Sequence, residues 1–425
     1  MNKNRRMISI IPILIALSTL VSCTGRSENA AEPQPSKQTT LTMWTFSMNN
    51  ELPLNDAFMQ RNPDIRIETL PVPWADYEKR LFAALTTGEG IPDIVIAESY
   101  WWGKWQHTSG IFEDLSAYGI SREDVAPQVA DAALDRDGRL AIAPLSIGVS
   151  SIWYRKDLAI AYLGTDDPAE IERLLPDWLA IEGLGEKVKK ESGGKHFLFP
   201  ETASLAEFLI AANKNYIDGD TLMLTERILP LFRLIEKWRD GGYIANLKGI
   251  SLDQSYSQGN VLFYPYADWH GANIKERDPN GAGEWGVIRP PGGVFYRGGY
   301  GYAIPVKSDP DRKEAAARRI RYTLSPEGAR QVMDTNQISV YRGIAESYVP
   351  GRQDDYFPGD LRQTFLNWSK QIDQPIVYNE HTDIIEKELR IQAYNMMVSP
   401  LTAEQAVEAA RRVIEASLDG GLKIK

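Results

Sequence analysis

Residues 65–98 read IRIETLPVPWADYEKRLFAALTTGEGIPDIVIAE, and the spacing of their apolar positions changes twice. Ile65-Arg66-Ile67-Glu68 alternates apolar and polar, as a half-buried strand does. From Trp74 to Thr87, Tyr77, Leu81, Ala84 and Leu85 recur at helical spacing, and Gly88 is a natural C-cap. Ile91 to Ile96 is a continuous apolar run with one Asp, as expected of a strand covered on both faces. Upstream, Leu41-Thr42-Met43-Trp44 reads as a strand. Residues 51–61 read as a helix with Leu54, Phe58 and Met59 near one face, ended by Asn62-Pro63. Strand, helix, strand, helix, strand predicts an α/β lobe with a parallel sheet.

That last strand runs into aromatic residues. Residues 94–105, IVIAESYWWGKW, place Tyr100, Trp101, Trp102 and Trp105 just beyond it, where loops usually carry polar side chains. The rings either plug a core or form a wall that meets something flat.

A chain of 425 residues is too long for one typical core and predicts two lobes. Its net charge is −10, without a Lys/Arg block to track a phosphate backbone, so nucleic-acid binding is not expected. The aromatic share is 10%, including 11 Trp, a supply of large contact faces.

The N-terminus carries a targeting signal. Lys3, Arg5 and Arg6 precede an apolar stretch from about Met7 to Val21, too short for a membrane span. Leu20-Val21-Ser22-Cys23 resembles the lipobox of bacterial lipoproteins, in which Cys23 is lipidated and becomes the first residue. Cys23 is the chain's one cysteine, so a disulfide is not its purpose. Removal of residues 1–22 would make the chain three charges more negative. TGRSENAAEPQPSKQTT (24–40) lacks aromatic and large apolar residues and reads as a flexible tether. The expectation is a body outside the cytoplasm, anchored to the cell membrane through Cys23.

Beyond Ala141, Ser151-Ile152-Trp153-Tyr154 and Val261-Leu262-Phe263-Tyr264 read as strands. Helices are expected around 170–190, 203–213 and 225–240, the last closed by Gly241-Gly242. Asp309-Pro310 and Ser325-Pro326 open two further helices. Thr402 starts a C-terminal helix with Gln405 in capping-box register and Ala406, Val407, Ala410, Val413 and Ile414 inward.

This order of segments resembles the extracellular solute-binding lipoproteins of bacterial ABC importers, in the carbohydrate-type, maltose-binding-protein-like family 1. LTMWTF looks like the first strand and its ligand-facing loop. FMQRNPDIRIETLPVPWADYEKRLFAALTTGEGIPDIVIAE looks like the helix, strand, helix and G-x-x-P-D strand. GIFEDLSAY, SSIWYRKDL, LLPDWLAI, QGNVLFYPYADW and GGYGYAIPVKSDPDRKEAAARRIRYTLSPEGAR follow in family order. Arg155 stands where Asn is commoner, and Asp177 where Thr is. The resemblance covers residue 41 to the end and implies a two-lobed periplasmic-binding-protein (Venus-flytrap) α/β fold, each lobe a sheet flanked by helices. It implies a signal peptide over 1–22, a lipidated tether over 23–38, lobe one over 39–143 and 301–340, and lobe two over 144–300 and 341–425. Hinge crossings would fall near Pro144, Gly299 and Tyr341.

In such sheets ligands sit beyond the carboxyl ends of the strands. Three of those loops are aromatic: Trp44-Thr45-Phe46, Glu98 with Tyr100-Trp101-Trp102, and Asp268-Trp269-His270. An indole lies flat on the C–H face of a sugar while carboxylates take bonds from its hydroxyls. Ligand contact is therefore expected from Trp44, Phe46, Glu98, Tyr100, Trp101, Asp268 and Trp269, with Trp105 beneath as support. Ser150, Asp76, Gly299 and Tyr300 are further candidates; Gly298-Gly299 would either approach ligand or relax a hinge. Arg297 and Arg342, near the crossings, would pair with a ligand carboxylate or form ordinary salt bridges, so neutral and acidic sugars both stay open. Trp153 and Trp238 read as core.

Signals for catalysis are thin. The four His residues are scattered, and HExxH, CxxC, G-x-S-x-G and a phosphate loop are absent. No metal and no cofactor is expected. The expected role is a monomeric, non-catalytic receptor that delivers a carbohydrate, an oligosaccharide, to the permease subunits of an ABC transporter driven by a cytoplasmic ATPase. A surface-anchored glycoside hydrolase or lyase is the alternative, since a carboxylate pair could hide among 57 acidic residues.

Overall fold

The computed structural model describes residues 38–351, 353–372, 379–418 and 421–425. The leader, Cys23 and the tether to residue 37 lie outside them. Among the described residues eleven strands run in chain order: β1 (Thr39–Thr45), β2 (Ile65–Pro71), β3 (Ile94–Glu98), β4 (Ala143–Arg155), β5 (Ile217–Asp218), β6 (Thr221–Leu222), β7 (Phe263–Ala267), β8 (Trp285–Ile288), β9 (Tyr296–Ala303), β10 (Ile338–Ser339) and β11 (Lys423–Ile424). β1 pairs in parallel with β2 and β3, with helices Met48–Arg61 and Trp74–Thr87 as the crossovers. Gly88 caps the second helix at φ 80, the left-handed conformation that favours glycine. β3 is buried along its whole length, between β1 on one side and β9, antiparallel, on the other.

β4 joins the two halves of the fold. Up to Val149 it pairs with β9 and β10; from Ser150 onward its partners are β7 and β8. β4 and β9 approach more closely than side chains allow. A Cβ on Gly148 would sit 1.9 Å from the Arg297 carbonyl oxygen, and one on Gly299 (φ 117) would sit 2.5 Å from that of Ser146. One core gathers around β1, β3 and β4. A second forms where helices Trp178–Ser192, Thr202–Ala212, Leu229–Gly241, Thr382–Val398 and Ala403–Leu418 pack together. The fold is a two-lobed mixed α/β structure.

Several expectations shift in detail. The 170–190 segment is two helices, Pro168–Leu174 and Trp178–Ser192, because Pro176 turns Leu175 out of helical geometry. Asp177 caps the second by accepting from the Ala180 amide at 2.8 Å. Thr402 and Gln405 form the expected reciprocal cap, at 3.0 and 3.2 Å. Val413, expected inward, is 44% exposed. At 100° per residue it lies about 80° from Ala403, whose direction bisects the buried stripe, and so falls at its edge. Helix Thr382–Val398 carries no strong start signal, yet it helps build the site described next. Among the described residues no helix is long and apolar enough to cross a membrane.

Candidate functional site

A cleft of about 950 Å³ opens at the carboxyl ends of β1, β3 and β7. Its first wall grows out of β3. Glu98 ends the strand and caps the turn Ser99–Trp101 by accepting from the Tyr100 amide at 2.9 Å. That turn and the following helix Trp102–Gln106 rotate successive rings apart. Tyr100 and Trp101 line the cleft. Trp102 is buried with its Nε1 donating to the Ala97 carbonyl at 2.9 Å, and Trp105 packs edge-on against Phe112. Trp101 stacks on Tyr77 (5.8 Å between centroids, planes 8° apart), and Phe46 meets Tyr77, Trp101 and Tyr300 edge-on.

The facing wall comes from β7 and the turn after it. Tyr266 and Trp269 pack at 5.8 Å, and Tyr266 stacks on His270 at 3.8 Å. Burial holds His270 well below its ordinary pKa, so the ring is neutral, and Nε2 lies 3.0 Å from the Tyr256 hydroxyl. Trp269 Nε1 donates to the Arg297 carbonyl at 3.2 Å, which sets the indole against β9.

Polar groups line the rest. Arg297, 4% exposed, donates through Nη1 to the Tyr100 hydroxyl and through Nη2 to Glu207 at 2.9 Å. Lys104 lies 3.0 Å from Glu78 and 3.8 Å from Asp383. The Arg390 guanidinium lies over the Trp74 ring at 5.0 Å. Burial pushes the Glu98 carboxyl up to about 8 against the bonds from Tyr100 and Ser99, so Glu98 is largely protonated at neutral pH. Gln337 donates to the Tyr300 hydroxyl at 3.3 Å and accepts from Ser146 at 2.8 Å.

Of the residues singled out from sequence, Phe46, Glu98, Tyr100, Trp101, Trp269, Gly299 and Tyr300 share this lining. Five do not. Trp44 projects from the opposite face of β1 to the buried Met43 and lies beneath Arg80, 5.6 Å away. Asp76 is exposed on its helix, outside the cleft. Ser150 is fully buried, its Oγ accepting from the Phe295 amide at 2.8 Å. The Asp268 carboxylate is taken up by the amides of Val149 (2.7 Å) and Ile338 (3.0 Å), so it ties β4 to β10 rather than facing ligand. Arg342 is exposed and reaches the Val125 carbonyl at 3.4 Å. Trp153 and Trp238 are core, at 1% and 0% exposure.

Sequence reading did not mark Glu207, Tyr266 or the charged face of helix Thr382–Val398, which brings Asp383, Glu386, Lys387 and Arg390 to the cleft. Their i, i+3, i+4, i+7 spacing was the available signal, and it is also the signature of an ordinary solvated face. Among the described residues no group of three or more His, Cys, Asp or Glu could hold a metal ion.

Residues 51–330 match the family model described as bacterial extracellular solute-binding protein. The arabinooligosaccharide-binding protein of Bacillus subtilis is 25% identical over 224 residues, 50% of this chain and 49% of that protein. The chain thus spans about half the length of this curated relative. Among solved structures, the ABC-transporter-associated binding protein of B. animalis subsp. lactis, in complex with β-1,6-galactobiose, has a TM-score of 0.76 at 16% identity, covering 91% of this chain and 100% of that one. An extracellular solute-binding protein of family 1 has a TM-score of 0.73 at 21% identity, covering 88% and 100%.

Proposed function

Because the chain belongs to the bacterial extracellular solute-binding proteins, we propose that it captures a carbohydrate, an oligosaccharide, in the cleft and delivers it to the permease of an ABC importer. The carrying observation is the pairing of flat rings with hydrogen-bonding groups on both walls: Trp101 and Tyr100 on one, Trp269 and Tyr266 on the other, with Glu98, Arg297 and Gln337 between. A sugar offers such a site two apolar faces and a rim of hydroxyls. The names of the relatives, an arabinooligosaccharide binder and a galactobiose complex, support the same class.

The lobe boundaries inferred from the resemblance, with crossings in β4, β9 and the segment after β10, let the walls move against each other. Ligand touching both walls favours the closed form, and closure is what the permease reads. The protein acts as a monomeric receptor without turnover, held at the outer face of the membrane by lipid on Cys23 after removal of residues 1–22. The anchor rests on the Leu20-Val21-Ser22-Cys23 motif.

Incubation of the mature chain with a panel of oligosaccharides tests this reading. Thermal stabilisation by a sugar, with no new reducing ends or unsaturated products, is expected. Turnover would favour the hydrolase or lyase instead.

A further inference from the structure

We propose that Glu207 sets the charge selectivity of the cleft, tuning it to neutral sugars and against uronates. The proposal rests on the carbohydrate reading above. Glu207 is the one ionisable residue of helix Thr202–Ala212, whose sequence, TASLAEFLIAA, is otherwise apolar or small and mostly buried. A lone carboxylate in such a helix faces the cleft.

There it meets two guanidinium groups at once. Oε2 accepts from Arg297 Nη2 at 2.9 Å, and Oε1 lies 3.3 Å from Arg390 Nε. Arg297 is nearly completely buried and its other terminal nitrogen is held by the Tyr100 hydroxyl. A buried guanidinium in a cleft would otherwise be the natural seat for a ligand carboxylate. Glu207 occupies that seat with a carboxylate of the protein's own. A third cation of the lining, Lys104, is matched in the same way by Glu78 at 3.0 Å.

The consequence for ligands is a matter of exchange. A uronate reaching Arg297 must displace Glu207, so one ion pair replaces another. The displaced carboxylate is left beside the newcomer as a like charge, in surroundings less polarisable than water. With Glu98 protonated, the lining's five remaining carboxylic acids face four cations, and that balance adds to the repulsion. A neutral sugar displaces nothing. Glu207 is 27% exposed at its side chain, and its free lone pairs can accept sugar hydroxyls while both guanidinium contacts persist.

Calorimetry and thermal shift on the mature chain provide the test, with arabinotriose, galactobiose and maltotriose as neutral probes and di- and trigalacturonate as acidic ones. The wild type is expected to bind at least one neutral probe and neither acid. Glu207→Gln, which keeps the shape and removes the charge, is expected to gain galacturonate binding by at least tenfold. The gained binding should weaken as salt is raised. Should that variant not fold, Glu207→Asp, which is too short to hold both guanidinium groups, is expected to move the same way by a smaller factor. Wild-type binding of a galacturonate as tight as that of any neutral probe overturns the charge selectivity and leaves the carbohydrate reading standing. Neutral binding with no gain in either variant overturns the role of Glu207. No stabilisation by any probe overturns both the proposal and the carbohydrate reading beneath it.

Discussion

The ring of Trp101 lies parallel to that of Tyr77, with centroids 5.8 Å apart and planes 8° from parallel. Tyr77 also donates through its hydroxyl to the Trp44 carbonyl at 3.2 Å and accepts from the Ile96 amide at 2.8 Å. One buried tyrosine thus fastens a wall of the cleft to β1 and β3, the strands whose ends form it.

Tyr77→Phe keeps the stack and deletes the hydroxyl, leaving the buried Ile96 amide without that acceptor. A loss of about 1–3 kcal/mol in stability is expected. Urea denaturation checks it, and an unchanged midpoint would mean that another group takes up the amide.

Trp269 presents a half-buried indole to the cleft, fixed by its bond to the Arg297 carbonyl. Trp269→Ala is expected to weaken sugar binding at least tenfold, about 1.4 kcal/mol. Calorimetry measures this; unaltered affinity would assign the ring to packing alone.

Glu98 makes folding pH-dependent. Burial pushes its carboxyl up to about 8 in the folded chain from an ordinary 4.5, so the folded state holds the proton more tightly. Stability contributed by the protonated form is therefore complete below about 4.5, declines as pH rises through the window to 8, and levels off above it. Glu98→Gln removes this contribution while Asp268, pushed up to about 7 by burial, remains in both proteins. Melting temperatures from pH 5 to pH 9 should fall more steeply in the wild type than in the variant. Parallel curves would refute the assignment.

Behind Tyr300, Glu51 and Arg319 form a buried pair at 3.3 Å, and Glu51 also accepts from the hydroxyls of Tyr300 (2.7 Å) and Tyr302 (2.8 and 2.9 Å). Glu51→Ala strands a guanidinium in the core and is expected to cost about 3–5 kcal/mol. Combining it with Arg319→Met should restore much of the loss, because the uncompensated charge is gone. Equal destabilisation of single and double variants, read by denaturation, would show that the tyrosine bonds dominate instead.

What residues 65–98 determine by themselves is local. Apolar spacing decides that 74–87 is a helix and that the 91–96 run holds a strand buried on both faces, though the strand itself runs from Ile94 to Glu98, three residues later at its start. Gly88 ends the helix because it can adopt a positive φ. The position of an aromatic run after that strand makes it a candidate for a cleft wall, since strand ends are where such sheets bind, and Tyr100 and Trp101 do line the cleft. Tertiary structure alone decides which groups are available there. Asp268 and Trp269 are neighbours in sequence, yet one carboxylate is spent on amides 119 and 70 residues away while the adjacent indole faces the cleft. Arg297 meets Glu207 across 90 residues, and Glu207 meets Arg390 from a helix that nothing in the local sequence distinguishes from a solvated one. Periodicity reports which face of an element is apolar. Which charge answers which is settled only when distant segments pack, because an ion pair depends on distance in space and leaves no spacing in the chain.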